Sequence, residues 1–425
     1  MAALKGIAVL GQSGGPTCVI NRSLVAAVEE LRKSKLVTKI YGARHGVDGI
    51  LKEEFVDLKG VSSASLLDIQ DAPSAMLGSS RKKPANEDCR KVFEVFRRYG
   101  VRYFFYIGGG DSAQTARMIA EHAQRESYEF RTFHIPKTID NDLLKSDHTP
   151  GYGSAARFVA TAFLGDDFDN RSLKGVKIDV VMGRHAGYLT AASVLGKLEP
   201  DSGPHLVYCP ERLFNMDQFV ADVDAVYTRL GRCIVAVSEG VATGRRDEDL
   251  IVAEAGRVLL AADVQQEMPR DSHGHAQLSG TGLLADYLVS RVRKVLEPKY
   301  RALGKSLRLR GDTFGYLQRS FPGVMSEVDA KEASAVGRAA AKFALSSDID
   351  GSVIITRKPG AKYAVEIGCL PLSEVAQGEH PMPDDFINEA GNYVTQKFID
   401  YALPLIGKLP KTGILKAKAV KKLER

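Results

Sequence analysis

The chain reads as an α/β protein of two lobes, each a mostly parallel sheet covered by helices, and three observations point there. At 425 residues it is long enough for two cores of ordinary size. Hydrophobic residues make up 44 % and charged residues 26 %, the balance of a globular chain and not of a disordered or fibrous one. Short β-rich apolar runs alternate with amphipathic stretches of helical period, the signature of parallel strands joined by helical crossovers.

In chain order the expected strands are Gly6 to Leu10, Lys39 to Ala43, Tyr103 to Ile107, Arg131 to Ile135, Lys177 to Met182, Leu206 to Cys209, Cys233 to Ser238 and Ser352 to Thr356. Cys89 to Tyr99, Ala113 to Gln124, Ala155 to Phe163 and Met216 to Leu230 are the helical stretches between them. The polar region Thr243 to Gly282 reads as an insertion with a helix inside it. In open sheets of this kind ligands bind at the carboxyl ends of strands, so the loops that follow strands are the places to look for chemistry.

The net charge of +6 comes largely from Lys411 to Arg425, a basic tail with six basic groups and one acid, or +5. The body is therefore close to neutral, which argues against a nucleic-acid surface spread over the fold and leaves any anion site as a local cluster. Cys18, Cys89, Cys209, Cys233 and Cys369 contain no CxxC pair and read as reduced thiols. Met1 to Leu10 lacks the apolar length of a signal peptide, and no apolar run approaches the roughly eighteen residues of a membrane helix, so no membrane partner and a cytoplasmic location are expected.

After the first strand, Gly11-Gln12-Ser13-Gly14-Gly15-Pro16-Thr17 leads into a helix that includes Asn21. Small residues let backbone N–H groups approach a phosphate, and a helix N-terminus adds partial positive charge. Gly304-Lys305-Ser306 imitates the end of a Walker loop, but position 299 is Lys where that motif needs Gly. Ile107-Gly108-Gly109-Gly110-Asp111-Ser112 ends the third expected strand, and its acid can hold Mg²⁺ or cap the helix. Pro136-Lys137-Thr138-Ile139-Asp140-Asn141-Asp142 then brings together a Lys and two acids, a set that can serve as general base, metal-facing carboxylate and countercharge. Met182-Gly183-Arg184-His185, Ser238-Glu239-Gly240 and Gly315-Tyr316-Leu317-Gln318-Arg319 complete the series.

Together and in this order these motifs closely resemble the phosphofructokinase family, and its pyrophosphate-dependent branch in particular, from about Gly11 to Thr356. The resemblance implies two similar doubly wound lobes with the active site in the cleft between them. It divides the chain into a donor lobe, 1–151 plus about 318–370, and a sugar-phosphate lobe, 152–317 plus about 371–410, with 411–425 as the tail. The activity implied is Mg²⁺-dependent, reversible transfer of a phosphoryl group from pyrophosphate to the 1-hydroxyl of fructose 6-phosphate, a step of glycolysis and gluconeogenesis. By the same resemblance Asp140 is the catalytic base, with Lys137 and Thr138 beside it. Gly14, Gly15, Arg81, Gly109, Gly110, Asp111 and Lys137 take the pyrophosphate, and Asp111 and Asp142 face the metal. Thr138, Asp140, Met182, Gly183, Arg184, Glu239, Tyr316 and Arg319 take the sugar phosphate, and Arg310 reaches it from a neighbouring subunit, which implies a homodimer or homotetramer.

ATP-using relatives resemble one another in carrying Gly after the acid of the first motif and Gly before the Thr of the second; here these positions are Asp111 and Lys137. A carboxylate adds bulk and like charge where the nucleotide would pass, and an ammonium suits a compact anion. The opposing reading has Lys137 pointing to solvent and Asp111 capping its helix, with ATP usable. Gly110 departs from the acid or amide common at its position, and Lys174 and Lys177 are the two candidates for a further cation at the subunit boundary. Three rivals are an ATP-dependent enzyme, a pyrophosphate-dependent enzyme acting on sedoheptulose 7-phosphate, and a catalytically silent metabolite-binding subunit. Retention of Asp140, Arg184, Glu239 and Arg319 speaks against the last.

Overall fold

Strand β1 (Gly6–Gln12) shows how the first sheet is wrapped on both faces. Its side chains alternate: Ala8 and Leu10 join a core with Ile20, Leu24, Val336 and Ala340, whereas Val9 joins Val47, Val92 and Phe96 on the other face. Strand β4 (Val101–Gly108) repeats the pattern, with Tyr103, Phe105 and Ile107 on the first side and Phe104 and Tyr106 on the second. A strand buried on both faces has no polar side to show, and β1 and β4 therefore read as nearly continuous apolar runs.

The computed structural model describes residues 4–242, 280–360, 362–378, 380–418 and 420–421. Its strands are β1, β2 (Val37–Ala43), β3 (Phe55–Asp57), β4 (Val101–Gly108), β5 (Arg131–Pro136), β6 (Val176–Val181), β7 (Leu206–Tyr208), β8 (Cys233–Ser238), β9 (Leu309–Thr313), β10 (Gly351–Arg357) and β11 (Val365–Pro371). The larger helices are α1 (Ile20–Arg32), α2 (Gly46–Leu51), α3 (Ser63–Gln70), α4 (Asn86–Tyr99), α5 (Gly110–Arg125) and α6 (Tyr152–Ser172), followed after a single turn, α7 (Tyr188–Ala191), by α8 (Met216–Leu230) and α9 (Leu283–Ala302). Then come α10 (Leu317–Ser320), α11 (Glu327–Ser346), α12 (Leu372–Val375) and α13 (Gln396–Ile406). Within Thr243 to Gly282, the expected insertion, residues 243–279 lie outside the described residues.

Seven strands form the first sheet in the order β11-β10-β5-β4-β1-β2-β3, and four form the second in the order β7-β8-β6-β9. The second is parallel throughout; the first is parallel except where β3 and β11 close its two edges antiparallel. From β1 the chain passes to β2 on one side and later to β4 on the other, which opens a topological switch point between β1 and β4 at their carboxyl ends. β3, β9 and β11 were absent from the strands expected on sequence. Among the described residues no helix is long and apolar enough to cross a membrane. The five cysteines are free thiols, four of them buried.

One buried carboxylate ties the lobes' helices to the loop that follows β5. Asp329, on α11 and 4 % exposed, accepts from Gly151 N (2.8 Å), Ser154 N (2.8 Å) and Ser154 Oγ (2.5 Å) at the start of α6. Burial pushes its pKa up to about 6 against the pull of these three donors. A helix start normally borrows a local side chain as its cap; here an acid nearly 180 residues on supplies it. Asp329→Ala leaves buried donors unsatisfied and is expected to cost roughly 2–4 kcal/mol, read as a lower urea midpoint. An unchanged midpoint would contradict this role.

Candidate active site

The loops after β1, β4 and β5 meet at the switch point. Ser13 N donates to Ile107 O (2.9 Å), Gly14 N to Ser80 O (2.9 Å), and Ser79 Oγ to Gly14 O (2.6 Å), which folds the β1 loop against the segment around Arg81. Gly14 has φ of +74°, a conformation that disfavours any residue with a Cβ. At Gly108 a Cβ would stand 2.0 Å from Ser112 Oγ, so only glycine lets α5 begin directly at the strand end. Ser112 Oγ then donates to Ser13 Oγ (3.0 Å) and couples the β4 and β1 loops. His134, fully buried and held neutral by a pKa pushed down to about 4, bonds Gly108 O (2.8 Å) through Nε2 and Ser352 Oγ (2.8 Å) through Nδ1.

These loops enclose a cavity of about 260 Å³ whose lining includes Gly14, Gly15, Arg81, Gly109, Gly110, Asp111, Lys137, Thr138, Asp140, Asp142, Met182 and Arg319. Nine of these twelve come from the expected donor and catalytic set, Asp142 from the expected metal pair, and Met182 and Arg319 were expected on the sugar alone. Lys137 is 2 % exposed and its ammonium donates to Gly15 O at 2.6 Å. A solvent-pointing Lys137 is thereby excluded. A Cβ on Gly15 would stand 3.2 Å from Arg319 Nη1 and 3.8 Å from Arg81 Nη2, so three cationic side chains close on the same two glycines. Burial drives the Lys137 pKa down to about 7, and Arg319 and Arg81 push the same way against Asp140 and Asp142. Arg319 is shifted down by burial and then by Arg81, and its Nε and Nη1 are buried without an acceptor among the described residues. Such a cluster suits a bound anion.

Asp111 does not cap α5. The N-cap is Gly109, with no side-chain cap bond, and the Asp111 carboxylate instead pairs with Lys83 at 2.9 Å, both side chains about half exposed. Thr138 carries the β5 loop inward: its N donates to Pro150 O (3.1 Å), and its Oγ1 accepts from Asp140 N (3.1 Å). Gly183 and Glu239 sit beside the cavity, with Gly183 N donating to Glu239 Oε1 at 3.5 Å. Tyr316 is 41 % exposed, its ring under the Arg319 guanidinium at 4.4 Å. Arg184 lies against Gly240, where a Cβ would meet Arg184 O at 2.0 Å. Arg310 stands apart on the edge strand β9, bonded to Asp169 (2.9 Å) and Leu173 O (3.5 Å).

Of the two lysines put forward as boundary cations, Lys177 is committed elsewhere. Its ammonium lies 2.5 Å from Asp166, 3.0 Å from Asp312 and 3.4 Å from the fully buried Asp179, whereas Lys174 is exposed. Ser13, Ser80, Lys82, Lys83 and Ser112 also line the cavity and were missed. The run Arg81-Lys82-Lys83 was the available signal, three consecutive cations in an otherwise near-neutral body. Among the described residues no group of three or more His, Cys, Asp or Glu could by itself hold a metal ion.

Comparison with known proteins agrees with this geometry. The family described as Phosphofructokinase matches residues 6–344. The pyrophosphate–fructose 6-phosphate 1-phosphotransferase of Rhodospirillum rubrum is 50 % identical over 404 residues, 95 % of each chain. The protein of the same name from Xanthomonas campestris is 34 % identical, covering 95 % of this chain and 92 % of its own. Among solved structures, the pyrophosphate-dependent phosphofructokinase of Marinobacter aquaeolei superposes with a TM-score of 0.80 at 32 % identity, over 99 % of this chain and 98 % of that one. A glycine-lined anion cavity at the switch point, a Lys-Thr-Ile-Asp-Asn-Asp loop and likeness along nearly the whole chain have one common explanation: the chain belongs to the phosphofructokinase family and groups with its pyrophosphate-dependent members.

Proposed function

We propose that this protein transfers a phosphoryl group between pyrophosphate and the 1-hydroxyl of fructose 6-phosphate, giving fructose 1,6-bisphosphate and phosphate. One observation carries the donor: the buried Lys137 ammonium, beside Arg81 and Arg319, over the Gly14–Gly15 turn. The lobe built on the larger sheet, 1–151 plus about 318–370, takes the pyrophosphate, and 152–317 plus about 371–410 takes the sugar phosphate. Asp140 accepts the proton of the 1-hydroxyl as that oxygen attacks the nearer phosphorus, the bond to the bridging oxygen breaks, and phosphate leaves. The transition state is loose and anionic, so positioning and cationic groups supply most of the acceleration. Lys137, Arg81 and Arg319 are those groups. Met182, Gly183, Arg184, Glu239 and Tyr316 contact the sugar phosphate, with Thr138 at the junction of the two substrates. Arg310, on an edge strand, serves the site of a neighbouring subunit in a homodimer or homotetramer. The setting is the cytoplasm.

Mg²⁺ suits this donor set. Asp142 and Asp111 line the cavity, and Mg²⁺ is commonly held by one or two carboxylates together with phosphate oxygens and water. When bound it neutralises phosphate charge. At Asp111 the metal would share the carboxylate with Lys83, which pairs with it at 2.9 Å.

Fructose 1,6-bisphosphate formation is expected with Mg²⁺ and pyrophosphate and not with ATP; turnover with ATP alone would overturn the donor assignment. Asp140→Asn is expected to lower kcat by roughly 10²- to 10⁴-fold with sugar binding retained, measured by steady-state kinetics and calorimetry. Near-normal turnover there would remove Asp140 as the base. Lys137 carries charge below its pKa of about 7 and loses it as pH rises, so kcat/KM for pyrophosphate is expected to fall on an alkaline limb near pH 7. In Lys137→Arg, whose cation persists, that limb moves out of range, and because the ionisation of pyrophosphate is common to both enzymes the difference between the two profiles isolates Lys137.

A further inference from the structure

Between Asp140 and Asp142 stands Asn141, 4 % exposed and in the left-handed region at φ of 63°. This reversal of the backbone brings both flanking acids to the lining of one cavity. Left-handed residues other than glycine cost about 1–2 kcal/mol, with Asn among the least penalised because its side chain can bond locally. Here the amide is used at both ends. Its Oδ1 accepts from Thr149 N at 3.0 Å, and its Nδ2 donates to the Tyr401 phenol at 2.6 Å.

The Tyr401 hydroxyl in turn donates to Asp147 O at 2.6 Å. One phenol thus bridges the two limbs of the loop that carries Asp140, from a helix 260 residues further along the chain. The ring cannot drift. Phe386 lies 5.2 Å and Tyr188 5.9 Å away between centroids, the Arg357 guanidinium covers it at 4.3 Å, and Arg357 Nη2 bonds Tyr401 O at 2.5 Å. Arg357 N also donates to Asp147 Oδ2 (2.6 Å), so β10 and α13 hold the same point of the loop. Burial raises the phenol pKa, so the hydroxyl keeps its proton and stays a donor.

We propose that Tyr401 is a positioning residue for the phosphoryl transfer: acting through Asn141 and Asp147, its hydroxyl fixes the turn that aims Asp140 at the acceptor oxygen. This rests on Asp140 being the base. α13 lies beyond residues 6–344, the stretch over which the family matches, so the loop is held from well outside its own part of the chain.

The test is Tyr401→Phe in the full chain, alone and combined with Asn141→Gly, which keeps the positive φ but removes the amide. Tyr401→Phe is expected to lower kcat about 10- to 100-fold, the range for a small misplacement of a catalytic group, with KM for pyrophosphate and fructose 6-phosphate within about 2-fold. In the Asn141→Gly background the same change is expected to lower kcat by no more than about 3-fold, since its partner is already gone. The proposal is overturned if Tyr401→Phe leaves kcat within about 2-fold, if both KM values rise with kcat unchanged, or if the loss in kcat is undiminished by Asn141→Gly. Asp140→Asn assayed alongside separates the two ideas. If it is inactive while Tyr401→Phe is normal, only the positioning role fails; if it retains activity, the base assignment fails instead.

Discussion

Like charge brought together around one buried ammonium is the constraint around which this molecule is arranged. Lys137, Arg81 and Arg319 converge on two glycines, Lys137 is driven towards neutrality at about pH 7, and Arg319 keeps buried N–H groups without acceptors among the described residues. A cluster of this kind costs stability unless an anion completes it. The protein tolerates it because the surrounding backbone is held elsewhere, by the bonds of Ser79, Ser112 and His134 and by the two-faced burial of β1 and β4. The missing charge is then the substrate's own. That is economical for a loose, anionic transition state, since the field is in place before the reaction begins.

The same logic explains where the acids stand. Asp140 and Asp142 temper the positive field, and both favour the charged form of Lys137. They can share the cavity only because Asn141 reverses the chain between them, and Asn141 is held by groups from outside the loop. Helix α6 starts directly after this loop and is capped by Asp329 of α11, so the loop has fixed ends as well as a fixed middle. Catalytic geometry here is a tertiary property. No residue within Thr138 to Asp142 could hold it alone.

How much of this was legible in the sequence varies with how local the cause is. All eight expected strands exist, because a strand buried on both faces must be apolar and therefore announces itself. β9, Leu309-Arg310-Gly311-Asp312-Thr313, is an edge strand with polar and charged side chains and gave no such signal; β3 has three residues, and β11 ends in Pro371. The loops Gly14–Gly15, Gly108–Asp111 and Lys137–Asp142 were readable because glycine spacing and charge sit within a few residues of each other. Lys177 was not. Asp179 stands two residues along the same strand, but Asp166 and Asp312 come from α6 and β9, and only the packing of α6 and the pairing of β6 with β9 bring them to it. Asp329 and Tyr401 were invisible for the same reason.

Asp111 shows how a local reading and the folded site can differ in mechanism while pointing to the same donor. On sequence its carboxylate was a negative obstacle to a nucleotide, or else a helix cap. In the fold it caps nothing and is paired with Lys83 at the rim of the cavity. A paired carboxylate repels an incoming phosphate less than a bare one, and a half-exposed pair is weakly held, so repulsion alone is a poor barrier. What the pair adds is an occupant: two side chains that join the segment after Arg81 to the first turn of α5 at the lining of the cavity. Room at the neighbouring Gly110 is not the limiting factor, since the nearest atoms to a Cβ there are 4.0 Å away. The compact donor is therefore favoured chiefly from within the cavity, by the buried Lys137 cation that a small anion can reach.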